Sequence, residues 1–232
     1  MRLLKRYFND FSVLFFSQAC VGCDTPLVDG ENLICTSCWY HLPHTRAHAD
    51  RQNSSARQLW GRVRIEAVAS YWYFREASRV KRIIHHLKYR NRPEIGIEVG
   101  IRYGEILADT APFNQADIIV PVPLHPKKLR ARGYNQSAFF ANGLARSMRL
   151  PVVENGIIRR RTTESQTHKN RYERYENMLK TFEATDIDSI AGQHVLLVDD
   201  VLTTGATLEA CASTLLENGA AKVSAVTMAK AL

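Results

Sequence analysis

Two runs in this 232-residue chain combine residue types and spacings that suit chemistry. The first is an apolar stretch, 195–198, followed by Asp199-Asp200, then Val201, Leu202 and Thr203-Thr204-Gly205-Ala206-Thr207. Adjacent carboxylates suit a vicinal diol, because each accepts a hydrogen bond from one hydroxyl. The Thr/Gly stretch opens a helical pattern, and a helix start presents unpaired N–H groups and the positive end of a dipole, so it suits phosphate. Gly205 permits close backbone approach, while the hydroxyls of Thr203, Thr204 and Thr207 add donors. A diol and a phosphate side by side describe a ribose 5-phosphate. Simple capping of the next helix needs one acidic residue and leaves Thr-Thr-Gly-Ala-Thr without a reason.

The second run is a quartet, Cys20, Cys23, Cys35 and Cys38, in two C-x-x-C pairs. Each pair forms a knuckle that points two thiolates at one ion, and two knuckles make the tetrahedral sulfur cage of structural zinc. Disulfides or a redox-active C-x-x-C are the alternatives. The first conflicts with a reducing compartment, and the second with the missing βαβ pattern around the pairs. Such a zinc has no open coordination position; it contributes folding energy, and its loss is expected to unfold mainly the first forty-odd residues. Cys211, alone in a helical stretch, reads as a small core residue.

The elements that must position these groups follow from hydrophobic periodicity. Strands are expected at 67–74, 118–120, 194–198 and 223–227. Helices are expected at 75–90, with Val80, Ile83, Ile84 and Leu87 on one face, and at 94–108, 134–148 and 207–217. Strands alternating with helices predict an α/β domain with a mostly parallel sheet, and ligands bind such sheets beyond the carboxyl ends of the strands. That is where 199–207 must lie. The organisation expected is a four-cysteine module over 1–45, a linker over 46–65 and the α/β domain over 66–232.

Composition sets outer limits. Apolar residues are 45% and charged residues 23%, ordinary for a globular chain, and no run is long and apolar enough to span a bilayer. The basic start 1–6 and the apolar run 11–16 resemble an export signal, but Asp10 interrupts them, so a cytoplasmic location is expected. A net charge of +8 points to an anionic partner, which a phosphorylated small molecule satisfies as well as a nucleic acid.

The 195–207 segment closely resembles the PRPP motif of type I phosphoribosyltransferases, enzymes of 5-phosphoribosyl-1-pyrophosphate. The resemblance gives Asp199 and Asp200 the ribose hydroxyls, and Thr203, Thr204, Gly205, Ala206 and Thr207 the 5′-phosphate. It implies Mg²⁺ with PRPP. It also makes Val122, Pro123, Leu124 and His125, with Lys127 and Lys128 after them, the loop that wraps the pyrophosphate. The segment with Gln166, Arg171, Arg174 and Asn177 falls at the family's hood, the flexible loop over PRPP. With the cysteine head, Lys88-Tyr89-Arg90, the 120–125 loop, Arg132-Gly133-Tyr134-Asn135-Gln136, 162–166 and 174–177, the whole chain resembles the ComF/GntX family. It departs at His168-Lys169, where that family often has Gly-Leu. These are phosphoribosyltransferase-like proteins linked in many bacteria to DNA uptake in natural competence. The resemblance therefore implies either transfer of phosphoribose to an unidentified acceptor, or a non-catalytic protein of PRPP or nucleotide and single-stranded DNA, working with DNA-uptake proteins. Basic stretches at 79–92 and 159–174, interleaved with Tyr89, Tyr172 and Tyr175, suit a single strand; a surface steering phosphates to the site explains them nearly as well.

Overall fold

A computed structural model describes residues 19–160 and 181–232. After the cysteine knuckles and the short helix α1 (Thr36–His41) come α2 (Ser54–Arg57), β1 (Val68–Phe74), α3 (Arg79–Tyr89) and α4 (Glu94–Leu107). Then follow β2 (Ile118–Pro121), α5 (Pro126–Arg132), α6 (Gln136–Met148), the short β3 (Ile157–Arg159) and β4 (Phe182–Ala184), and α7 (Ile187–Ile190). The chain ends with β5 (His194–Leu202), α8 (Ala206–Glu217) and β6 (Lys222–Ala231). The main sheet is four-stranded in the order β1-β6-β5-β2, with every pair parallel. β3 and β4 form a separate antiparallel pair.

Both faces of the sheet are covered, and the side-chain alternation of a strand shows it. Ile119, Leu196, Val198 and Val226 enter one core, with α3, α4 and α6. Ile118, Val120, Val195, Leu197 and Ala225 enter the other, with α8. Helix α3 starts after Ser78, whose hydroxyl accepts from Lys81 N–H at 3.2 Å, and buries Val80, Ile83, Ile84 and Leu87. Helices α4 and α6 approach through glycine. A β-carbon on Gly100 would lie 2.4 Å from the Phe140 carbonyl oxygen, and one on Gly143 2.3 Å from that of Ile97. Alanine at either position would push the helices apart.

Two expectations about extent need correction. β5 does not stop at Val198 but runs through the acidic pair to Leu202, because β6 continues beside it: Asp199 pairs with Thr227, and Leu202 with Lys230. The apolar run ended where the side chains became polar, not where the ladder ended. Residues 46–65 are not free linker. Asn53 caps α2, and its two amide hydrogens are shared among the carbonyls of Ala47, Asp50 and Val68, all within hydrogen-bond distance of Nδ2. Leu59 is fully buried in the second core.

The cysteine head is seated on the main core. Val21, Ile34, Cys35 and Cys38 belong to the same apolar cluster as Trp72, Val80 and Ile83. Past the head, Thr45 N–H donates to Tyr71 O and Tyr73 N–H to Pro43 O, which occupies the outer edge of β1. Among the described residues no helix is long and apolar enough to cross a membrane.

Candidate functional site

The carboxyl ends of β2 and β5 open on a cavity of about 500 Å³. Its lining includes Lys88, Lys128, Arg132, Arg159, Asp199 and Asp200, so the acidic pair faces a wall of cations. Asp199 Oδ1 accepts from Ser137 Oγ at 3.0 Å and from Asp200 N–H at 2.8 Å. Asp200 Oδ2 accepts from Gln136 Nε2 at 2.5 Å and pairs with Lys88 Nζ at 2.9 Å. Among the described residues the other oxygen of each carboxylate carries no hydrogen bond, which leaves one free acceptor on each.

Their environments differ. Asp200 is buried against its lysine. Asp199 has no ion pair among the described residues; burial first, and then the neighbouring Asp200 charge, push its pKa up to about 7, against the pull of the Asp200 amide, the Ser137 hydroxyl and Lys88. Asp199 is therefore poised to exchange a proton near neutrality.

Neighbouring elements hold the pair from three directions. Asn135 caps α6, accepting from Ser137 N–H, and donates to Val122 O at 3.0 Å, which ties α6 to the loop after β2. Tyr134 O–H donates to Leu87 O, which ties the start of α6 to the end of α3, where Lys88 lies. The loop after β5 turns at Gly205, at φ +78°, and delivers the chain to α8, whose N-terminus has no side-chain cap.

Of the residues singled out in the sequence, Asp199, Asp200, Thr203 and Thr207 line the cavity, as do Val122, Pro123, Leu124 and Lys128. Thr204 and Gly205, in the turn, and Ala206, the first residue of α8, are not in the lining. His125 and Lys127 are not lining residues either: the His125 Nδ1 accepts from Lys127 N–H at 3.2 Å and so caps α5. Desolvation and the cations Arg159, Lys127, Lys128 and Arg130 hold the His125 pKa below its ordinary value, which keeps that nitrogen an acceptor. Gln166, Arg171, Arg174 and Asn177 lie outside the described residues. Of the residues that touch the acidic pair directly, Lys88 and Gln136 were visible in the sequence only as parts of larger motifs, and Ser137 only as a position in the helix expected at 134–148.

The four cysteine sulfurs lie within 4.8 Å of one another, and none of the cysteines is in a disulfide. Cys23 Sγ and Cys35 Sγ are 3.7 Å apart, close to the roughly 3.8 Å that tetrahedral geometry with zinc–sulfur bonds near 2.3 Å requires. Cys20 Sγ accepts from the N–H groups of Gly22 and Cys35, and Cys35 Sγ from Cys38 N–H, bonds that stabilise thiolates. A β-carbon on Gly22 would sit 3.1 Å from Cys38 Sγ, so glycine leaves that sulfur its place. The quartet fits one tetrahedral metal ion, and Ile83 of α3 lies beside Gly22 of its first knuckle.

Residues 135–231 match the model of the phosphoribosyl transferase domain, and the parallel sheet with its loop after β5 is of that class. The chain is 31% identical over 197 residues to DNA utilization protein YhgH of Escherichia coli K12, covering 83% of this chain and 82% of that protein. It belongs to the ComF family of phosphoribosyltransferase-like proteins. Competence protein ComFC of Bacillus subtilis is 36% identical over 112 residues, 48% of this chain and 43% of that protein. Competence protein F of Haemophilus influenzae is 31% identical over 116 residues, 50% of this chain and 51% of that one. Among solved structures, the glutamine PRPP amidotransferase of B. subtilis, complexed with ADP and GMP, aligns with a TM-score of 0.44 at 22% identity, over 62% of this chain and 30% of that one.

Proposed function

We propose that this protein binds PRPP, or a nucleoside 5′-phosphate, in the cavity at the carboxyl ends of β2 and β5 and transfers its phosphoribosyl group to an acceptor. The observation that carries this reading is the acidic pair at the cavity wall, with one free oxygen on each carboxylate and the uncapped start of α8 beyond it. Asp199 and Asp200 take the ribose hydroxyls, and the loop with Thr203, Thr204, Gly205, Ala206 and Thr207 takes the 5′-phosphate.

In the transfer, the bond from the anomeric carbon to pyrophosphate breaks and a bond to the acceptor forms. Positive charge grows on the sugar and negative charge on the leaving group. The carboxylates answer the first; Lys128, Arg132 and Arg159, lining the same cavity, answer the second. The loop with Val122, Pro123 and Leu124 supplies the wall there, and Gln166, Arg171, Arg174 and Asn177 keep the hood role that the family resemblance implies. Mg²⁺ arriving with PRPP would neutralise part of the pyrophosphate charge beside Lys128, Arg132 and Arg159. Zinc on Cys20, Cys23, Cys35 and Cys38 is structural.

Pyrophosphate release from PRPP and Mg²⁺, assayed against a panel of purine, pyrimidine and amine acceptors, tests transfer. Release dependent on one acceptor class supports it; PRPP binding without release under any of them leaves a binding protein.

A second reading, a binder of single-stranded DNA in uptake, is favoured by a trough of about 520 Å³ lined wholly by Lys81, Arg82, His85, His86, Arg90 and Arg92. Three of its cations already have acid partners: Lys81 with Glu76, Arg82 with Asp24 and Arg92 with Glu94. That weakens the claim on a nucleic acid. On this reading, the affinity of an oligonucleotide falls by about 0.7 log units per tenfold salt for each phosphate neutralised. Arg82→Ala with Arg90→Ala then lowers that slope by about 1.4, as fluorescence anisotropy would show, while PRPP binding is retained. An unchanged slope counts against the trough as the DNA path.

A further inference from the structure

The stretch between the cysteine head and β1 contacts the β5–α8 loop through side chains that no sequence pattern pointed to. Gln58 Nε2 donates to Thr203 O. Arg62 Nη1 donates to Thr204 O at 2.8 Å and to Gln58 O at 3.0 Å, and Arg62 Nη2 pairs with the buried Glu209 in the first turn of α8. Leu59, between them, is fully buried, and a β-carbon on Gly205 would lie 2.8 Å from its Cδ2. One five-residue turn thus holds two successive carbonyls of the loop, its glycine and the following helix.

A trans peptide is planar, with its C=O and N–H pointing to opposite sides. Holding the carbonyls of Thr203 and Thr204 therefore fixes the direction of the Thr204 and Gly205 N–H groups, on the far side of the loop from Gln58 and Arg62. Neither of these N–H groups makes a hydrogen bond within the described residues. Successive free amides held in one direction make an anion-binding nest. The same arginine neutralises Glu209, a buried carboxylate that would otherwise repel an anion at the start of α8.

We propose that Gln58 and Arg62 are positioning residues of the phosphate loop: they set its amides for the 5′-phosphate from behind, without touching the ligand. This rests on the reading of 199–207 as a phosphoribosyl site. The guanidinium is suited to the role because its planar fork reaches a carbonyl and a carboxylate at once, which a lysine does not.

The test is calorimetric titration of the full chain with ribose 5-phosphate and, separately, with pyrophosphate and Mg²⁺. Arg62→Met alone leaves Glu209 buried and unpaired, so it is combined with Glu209→Gln, which removes that charge. The double variant should melt close to the unaltered protein, lose about tenfold or more in affinity for ribose 5-phosphate, and keep its affinity for pyrophosphate. Arg62→Lys, with charge but no fork, should lose ribose 5-phosphate affinity in the same direction. Unaltered ribose 5-phosphate affinity in the double variant overturns the positioning role while the phosphoribosyl reading stands. An equal loss for both ligands also overturns it, since that marks a general disturbance. If the unaltered protein binds no ribose 5-phosphate, the phosphoribosyl reading falls and this role falls with it.

Discussion

Asp199→Asn should weaken PRPP binding about tenfold to a hundredfold while making the protein more stable above neutral pH. The loss follows from removing a charged acceptor from one ribose hydroxyl, a bond worth roughly 1.5–3 kcal/mol. The gain follows from the raised pKa of Asp199, about 7 in the fold against 3.8 for an ordinary aspartate. A carboxyl whose folded pKa is raised contributes stability that is fully present below about pH 4 and is lost as the pH rises through 7. Asparagine does not ionise and loses nothing across that window. Thermal melts at pH 4 and pH 8 should therefore show the variant close to the unaltered protein at the lower pH and clearly above it at the higher. A variant less stable at pH 8, or one that binds PRPP normally, contradicts the assignment. Asp200 is not an equivalent target. It is buried and paired with a largely buried Lys88, so Asp200→Asn leaves a cation without its partner and costs stability on its own. Adding Lys88→Met relieves that.

Cys38→Ser should remove the metal and lower stability by at least about 3 kcal/mol, a fall of roughly 6–12 °C in melting temperature for a chain of this size. Metal content per chain and a thermal melt check it together; a variant that keeps one zinc, or melts unchanged, rules it out. The damage should not stop at the first forty-odd residues. Ile83 lies beside Gly22, in one apolar cluster with Cys38, and Arg82 pairs with Asp24, both on the helix whose last turn carries Lys88. Loss of the cage therefore loosens the seat of a site lysine, and hydrogen exchange in α3 should quicken with it.

The parallel sheet and its helices were legible because apolar periodicity is a local signal and strands alternate with helices along the chain. The acidic pair and the Thr/Gly turn were legible for a related reason: neighbours in sequence do their chemistry together. Lys88, Gln136 and Ser137 were not singled out, because each meets the acidic pair only when β5 closes against α3 and α6. Gln58 and Arg62 were missed for another reason. The stretch 46–65 is fixed by one buried leucine and by side chains bonded to main-chain carbonyls, which leaves no period to read. The length of β5 was underestimated because its last residues are held by the β6 ladder, although Asp199 and Asp200 end the apolar run.

The most direct measurement of the central claim is calorimetric titration of the intact protein with PRPP and Mg²⁺, with ribose 5-phosphate and pyrophosphate as competitors. If Asp199, Asp200 and the Thr203–Thr207 turn make a phosphoribosyl site, PRPP saturates one site per chain. Each competitor then displaces it with lower affinity, because each fills half of the cavity. No saturable heat with PRPP, or PRPP binding that neither competitor displaces, would contradict that site.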